Sequence, residues 1–98
     1  MYVYLIKSTE TGYYKIGYSR DPLQRIKQLQ TGCPDQLEII ETFRSERARK
    51  IESALHNSYN YACKHNEWFE LAIEDEVKFR NLCETIENNL ILIENYNF

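Results

Sequence analysis

No stretch of this chain stays apolar for anything near the roughly 20 residues that a membrane-crossing helix needs, and its first residues lack the basic-then-apolar layout of a secretion signal. The expectation is an intracellular, cytoplasmic chain with no membrane partner. Cysteine is scarce: Cys33, Cys63 and Cys83 are odd in number and show no C-x-x-C spacing. That argues against a disulfide framework or a thiolate zinc site and predicts reduced, mostly buried thiols. A basic excess is missing too, since the net charge is −3, which argues against indiscriminate binding to nucleic acid. Internal repeats and low-complexity segments are absent. At 98 residues the chain leaves no room for a second core, so one domain over residues 1–98 is expected.

What the chain does have is tyrosine, eight in all, and an uneven distribution of charge. Residues 1–50 hold nine Lys/Arg against six Asp/Glu, and residues 51–98 hold three against nine. Either a basic working face is backed by an acidic scaffold, or two solvated surfaces simply differ.

The most informative stretch runs from Tyr13 to Arg25. Tyr13 to Tyr18 suit a half-buried strand. Asp21 can cap a helix whose first position is Pro22, and Gln24 sits where a capping box would place its partner. Arg25 then falls in the first turn, where a cation opposes the helix dipole; contact with an anion would account for it. Upstream, Met1 to Ile6 read as a first strand and Ser8 to Gly12 as a turn, making a β-hairpin. With Lys7 opposite Gly12, Val3 faces Ile16, Leu5 faces Tyr14 and Tyr4 faces Lys15. Tyr2, Tyr4, Tyr13 and Lys15 share a face with Ile6 as the exception. There Lys15 either lowers the pKa of the Tyr4 phenol or belongs to a cross-strand cation–π patch.

The helix from Pro22 is expected to bury Leu23, Ile26 and Leu29 and to end at a left-handed Gly32, before Pro34. Leu37 to Phe43 read as a third strand. Ser45 is the expected cap of a second helix with Ala48, Ile51, Leu55 and Tyr59 inward, and Glu52 and His56 one turn apart beside that stripe. Arg49 is placed to pair with Glu52 in solvent. Tyr61 to Asn66 read as loop, and Glu67 to Leu71 as a short extended piece whose Trp68 anchors the core. A last helix, about Ile73 to Ile93, buries Phe79, Leu82, Cys83, Ile86, Leu90 and Ile93. Glu74, Asp75 and Glu76 serve its N-terminal dipole, and the asparagines from Asn88 to Asn97 suggest a frayed tail. The fold class is α+β: a three-stranded, mostly antiparallel sheet with flanking helices.

With these motifs in place the sequence resembles the GIY-YIG nuclease domain over nearly its whole length, most of all the small branch common in phages and large viruses. Tyr2-Val3-Tyr4 matches the first motif, Lys15-Ile16-Gly17 the second, and Arg25 follows Gly17 by eight residues. The run continues with Pro22 to Arg25, Leu29 to Gly32, Glu52 to His56 and Glu67 to Phe69. Two departures stand out: Tyr2 replaces the family's first glycine, and Lys15 stands where many members have tyrosine. Leu29 occupies a position where homing-type members place histidine, and the family's downstream asparagine has no secure match, Asn66 being a candidate.

The resemblance implies metal-dependent hydrolysis of phosphodiesters in DNA. Glu52 would hold Mg²⁺ or Mn²⁺ with water and substrate supplying the other ligands. Tyr4 would orient or deprotonate the attacking water, with Lys15 bringing its pKa down from about 10, and Arg25 would clamp the phosphate. His56 would relay a proton or make a structural contact. Arg20, Lys27 and Gln28 flank Arg25 as candidate nucleic-acid contacts. A domain this small touches few phosphates, so a homodimer or a recruiting protein is expected to add affinity. The alternative is a weakly active or inactive module of the same fold that binds nucleic acid or protein.

Overall fold

The computed structural model describes residues 1–65 and 67–96. In chain order its elements are β1 (Tyr2–Ser8), β2 (Tyr14–Ser19), α1 (Pro22–Thr31), β3 (Leu37–Arg44), α2 (Ala48–Ser58), a single 3₁₀ turn (Asn60–Ala62), β4 (Cys63–His65), β5 (Trp68–Phe69) and α3 (Ile73–Tyr96). The class is α+β as expected, but the sheet has five strands in the order β3-β1-β2-β5-β4, and every pairing is antiparallel. The expected loop before Glu67 supplies β4, and the short aromatic piece supplies β5. Three and two residues are too few to announce themselves by alternation.

The β1–β2 hairpin forms in a register shifted by two from the expected one: Val3 faces Tyr18, Tyr4 faces Gly17, Leu5 faces Ile16 and Ile6 faces Lys15. The cause is the turn. Ser8 N–H donates to the Tyr13 carbonyl, so residues 9–12 form the loop, and Gly12 takes a φ of +76° while its N–H donates to Ser8. A shift of two keeps every side chain on its predicted face. On one face Val3, Leu5, Tyr14 and Ile16 join Phe43, Ala48, Ile51, Leu55, Tyr59, Phe69, Phe79 and Cys83 in the main core under α2 and α3. On the other face Tyr4, Ile6 and Leu37 form a smaller cluster with Ile26, Leu29, Cys33, Ile39 and Trp68 under α1. Phe69, 1% exposed, is therefore the aromatic anchor of the main core, and Trp68 is half-buried on the opposite face.

Several local expectations change. Leu23 is 68% exposed. The inward stripe of α1 is Pro22, Ile26 and Leu29, at i, i+4 and i+7, which turns half-buried Arg25 toward the sheet instead of away from it. Gly32 has φ −97° and is not left-handed. The end of α1 is held by Gln30, whose amide donates to the Cys33 and Asp35 carbonyls and accepts from Leu37 N–H. Ser45 precedes the second helix instead of capping it; its hydroxyl accepts from Arg47 N–H and donates to Glu87. In α3 the buried stripe stops at Leu90, and Ile93 is 62% exposed. The helix includes Asn88, Asn89 and Asn95, where fraying was expected, while Asn97 lies outside the described residues. Asp75 caps the start of α3 by accepting from Ala72 N–H, and Glu76 accepts from the buried Tyr14 hydroxyl at 2.5 Å. Of the thiols only Cys83 is fully buried, Cys63 being exposed and Cys33 intermediate; burial pushes Cys83 up to about 12.

β3 forms one rim of the sheet. Its register slips between Leu5 and Ile6, whose partners are Glu41 and Ile39, so Ile40 is an extra residue that bulges the strand. The Arg80 guanidinium binds Glu41 and donates to the Thr42 carbonyl at 2.9 Å. Among the described residues no helix is long and apolar enough to cross a membrane.

Candidate active site

The site grows out of a gap in the sheet. β5 pairs with β2 only at Tyr14 and Lys15, so among the described residues the outer edge of β2 beyond Lys15 has no strand beside it. The carbonyl of Ile16 points into that gap, and His56 from α2 fills it: Nε2 lies 2.8 Å from the Ile16 oxygen. A carbonyl only accepts, so Nε2 carries the proton in this contact. The imidazole also stands edge-on to the Phe69 ring at 5.0 Å. His56→Ala is expected to lower stability by about 1–3 kcal/mol by leaving the buried carbonyl without a donor, as read from the midpoint of urea unfolding.

One turn earlier on α2, Glu52 places its Oε1 3.6 Å from His56 Nε2, with 18% of its side chain exposed. Burial pushes the Glu52 carboxyl above its usual range; the negative charge of Glu67 adds to this, while His56, Arg49 and Lys15 oppose it. The expected Arg49–Glu52 pair is thus felt only as a field and not as a contact. An incompletely compensated carboxylate of this kind is one that a cation would stabilise.

Lys15 points to the α1 face. Its side chain is 10% exposed and its Nζ lies 2.5 Å from Glu67 Oε2 and 5.7 Å from the Trp68 ring centre. The hydrogen bond from Lys15, followed by the charges of Lys15, His56 and Arg25, holds Glu67 below the usual carboxylate range in spite of some burial. Lys15 thus contacts Glu67 directly, while the charges of His56 and Arg25 act on it from further off and its own charge acts on Glu52. Glu67 was missed as a site residue in the sequence. Its signal there was its place at the head of the Glu67 to Phe69 motif, to which no site role was given.

Tyr4 shares the face of Lys15 but is its diagonal neighbour and not its direct partner, because of the shifted register. The hydroxyl end of the Tyr4 ring lies over Gly17: a Cβ there would overlap both the hydroxyl oxygen and Cζ. Glycine at this position is what allows the phenol to cross the strand. Arg25 Nη1 reaches Gln28 Oε1 at 3.4 Å, which brings Gln28 to the site, whereas Lys27 and Arg20 are exposed and no contact places them in it. Asn66 lies outside the described residues. Among the described residues no three His, Cys, Asp or Glu side chains assemble into a metal-binding group. The charge split of the sequence is bridged here, because Glu67 from the acidic half pairs with Lys15 from the basic half.

The described residues thus form a five-stranded α+β domain with the Tyr4 phenol over Gly17 and the Glu67 carboxylate beside Lys15. Residues 1–84 match the T5orf172 domain, and the chain belongs to that family, which is related to the GIY-YIG nucleases. No curated protein and no solved structure matches the chain.

Proposed function

We propose that this domain is a metal-dependent endonuclease that hydrolyses phosphodiester bonds in DNA. The observation that carries the reading is the Lys15–Glu67 pair beside the sheet gap, within the fields of Arg25 and His56, with Glu52 3.6 Å from His56 and the Tyr4 phenol on the same face as Lys15. Metal fit rests on the donor set: one hard oxygen donor, short of compensating positive charge, suits an ion that keeps most of its waters. Glu52 would hold Mg²⁺ or Mn²⁺, and the ion would supply charge neutralisation at the phosphate. Arg25 holds the phosphate oxygens through its planar fork. Tyr4 orients the attacking water, and Lys15, on the same face of the hairpin, is the cation beside it. His56, its Nε2 proton committed to Ile16, is assigned the positioning of Glu52 instead of proton relay.

The direct test is strand cleavage of duplex and branched DNA with Mg²⁺ or Mn²⁺. Cleavage is expected with either ion, lost in EDTA and restored by adding the ion back. Cleavage that continues in EDTA would remove the metal from this account. Salt-sensitive binding without cleavage under any divalent ion would favour a non-cleaving nucleic-acid module.

A further inference from the structure

Glu67 is an anion set among cations in a site meant, on the reading above, for an anionic substrate. Its partner Lys15 is held in place: the stem is buried, and the ammonium is trapped between the Glu67 carboxylate and the Trp68 ring. Glu67 is different. Its side chain is 54% exposed and it sits in the turn before β5, outside the strand itself, so it can rotate into solvent without disturbing a ladder bond. A carboxylate and a phosphodiester offer an ammonium the same thing, an anionic oxygen at hydrogen-bond distance. We propose that Glu67 occupies, in the free domain, the position that a substrate phosphate oxygen takes, and that it swings out as the nucleic acid enters.

The arrangement has a physical rationale. A nearly buried ammonium with no partner is costly, so an internal carboxylate keeps the empty site folded and compensated. The same carboxylate then competes with every incoming phosphate. The electrostatics agree: the fields of Lys15, His56 and Arg25 all stabilise negative charge at Glu67, and a phosphate oxygen there would feel the same fields. The inference rests on the nuclease reading only in taking the ligand to be a nucleic-acid phosphate.

The test is a binding measurement that needs no catalysis. A fluorescein-labelled DNA duplex is titrated, in EDTA, with wild type, Glu67→Gln and Glu70→Gln. Both variants change net charge equally, but Glu70 pairs with exposed Lys64 at 2.9 Å. Glu67→Gln is expected to bind about tenfold more tightly, equivalent to about 1.4 kcal/mol, and to steepen the salt dependence by about 0.9 in log–log slope, as for one added phosphate contact. Glu70→Gln is expected to stay within about twofold of wild type, as a rim charge should. Should Glu67→Gln not fold, Glu67→Asp replaces it; it keeps the charge, draws it back by one methylene, and should bind with intermediate affinity. Equal effects of the two glutamine variants, or weaker binding by Glu67→Gln, overturn the proposal and leave the nuclease reading standing if wild type still cuts. No binding by any form overturns both.

Discussion

Arg25→Ala is expected to lower the rate of strand cleavage about 10³-fold, in the range seen when one preorganised donor to a developing anion is removed. Glu52→Gln is expected to cost at least about a hundredfold, because even partners one shell removed from a metal cost 10- to 100-fold. Neither loss should come from unfolding. Arg25 lies in the first turn of α1, where a cation opposes the dipole, and alanine is the better helix former, so stability should hold or rise by a few tenths of a kcal/mol. For Glu52 the linkage has a definite sign. Its folded pKa is raised, so the stability it contributes is present at low pH and is lost as pH rises through the folded value. Glu52→Gln should accordingly be the more stable protein at neutral pH and the less active one. In wild type the acid limb of cleavage should lie above the usual glutamate value of about 4.3. Single-turnover rates together with thermal melts of the same preparations check all of this. Cleavage at wild-type rate by both variants would remove the catalytic assignment.

The second large effect comes from one methyl group. Gly17→Ala puts a Cβ where the Tyr4 hydroxyl and Cζ now lie. The tip of a tyrosine could swing aside on a surface, but this residue is only 2% exposed and packs with Ile6 and Leu37. The ring has to push into its neighbours or leave the strand, a strain of about 1–3 kcal/mol. Either way the phenol leaves its place beside the cations. Cleavage at a temperature where the variant is fully folded should fall by at least about a hundredfold, more than the stability change explains, since a misplacement of about 1 Å costs that much. Normal cleavage by folded Gly17→Ala would show that the Tyr4 hydroxyl is not needed where it now sits.

Much of this architecture was legible in the residues, for reasons that also mark where reading stopped. Alternation in Val3 to Ile6 and Tyr14 to Ile16 assigned each side chain to its face, because a strand has period two. Register depended on which of several turn residues closed the loop, and composition does not say. In α2 the stripe Ala48, Ile51, Leu55 and Tyr59 was correct because all four are buried. In α1 two stripes were compatible with the letters. The one containing Pro22 was realised, and it is the one that aims Arg25 at the sheet. Tyr4, Lys15, Arg25, Glu52 and His56 could be nominated by spacing and resemblance. The Ile16 carbonyl that engages His56 could not, since that contact depends on where β5 stops. Glu67 was matched only as part of a motif and given no role, because an acid before an aromatic pair has no chemistry until folding places it against Lys15.

The rims of the sheet bear on how copies of the molecule treat one another. Bare strand borders invite a neighbour to add on, and a flat, uncharged one can seed fibrils. Here β3 is bent by its surplus Ile40, studded with Glu38, Glu41 and Arg44, and has its Thr42 carbonyl already engaged by a guanidinium. The opposite border is three residues long and includes Lys64. Crowded solutions of this protein should therefore resist edge-to-edge aggregation through either border strand.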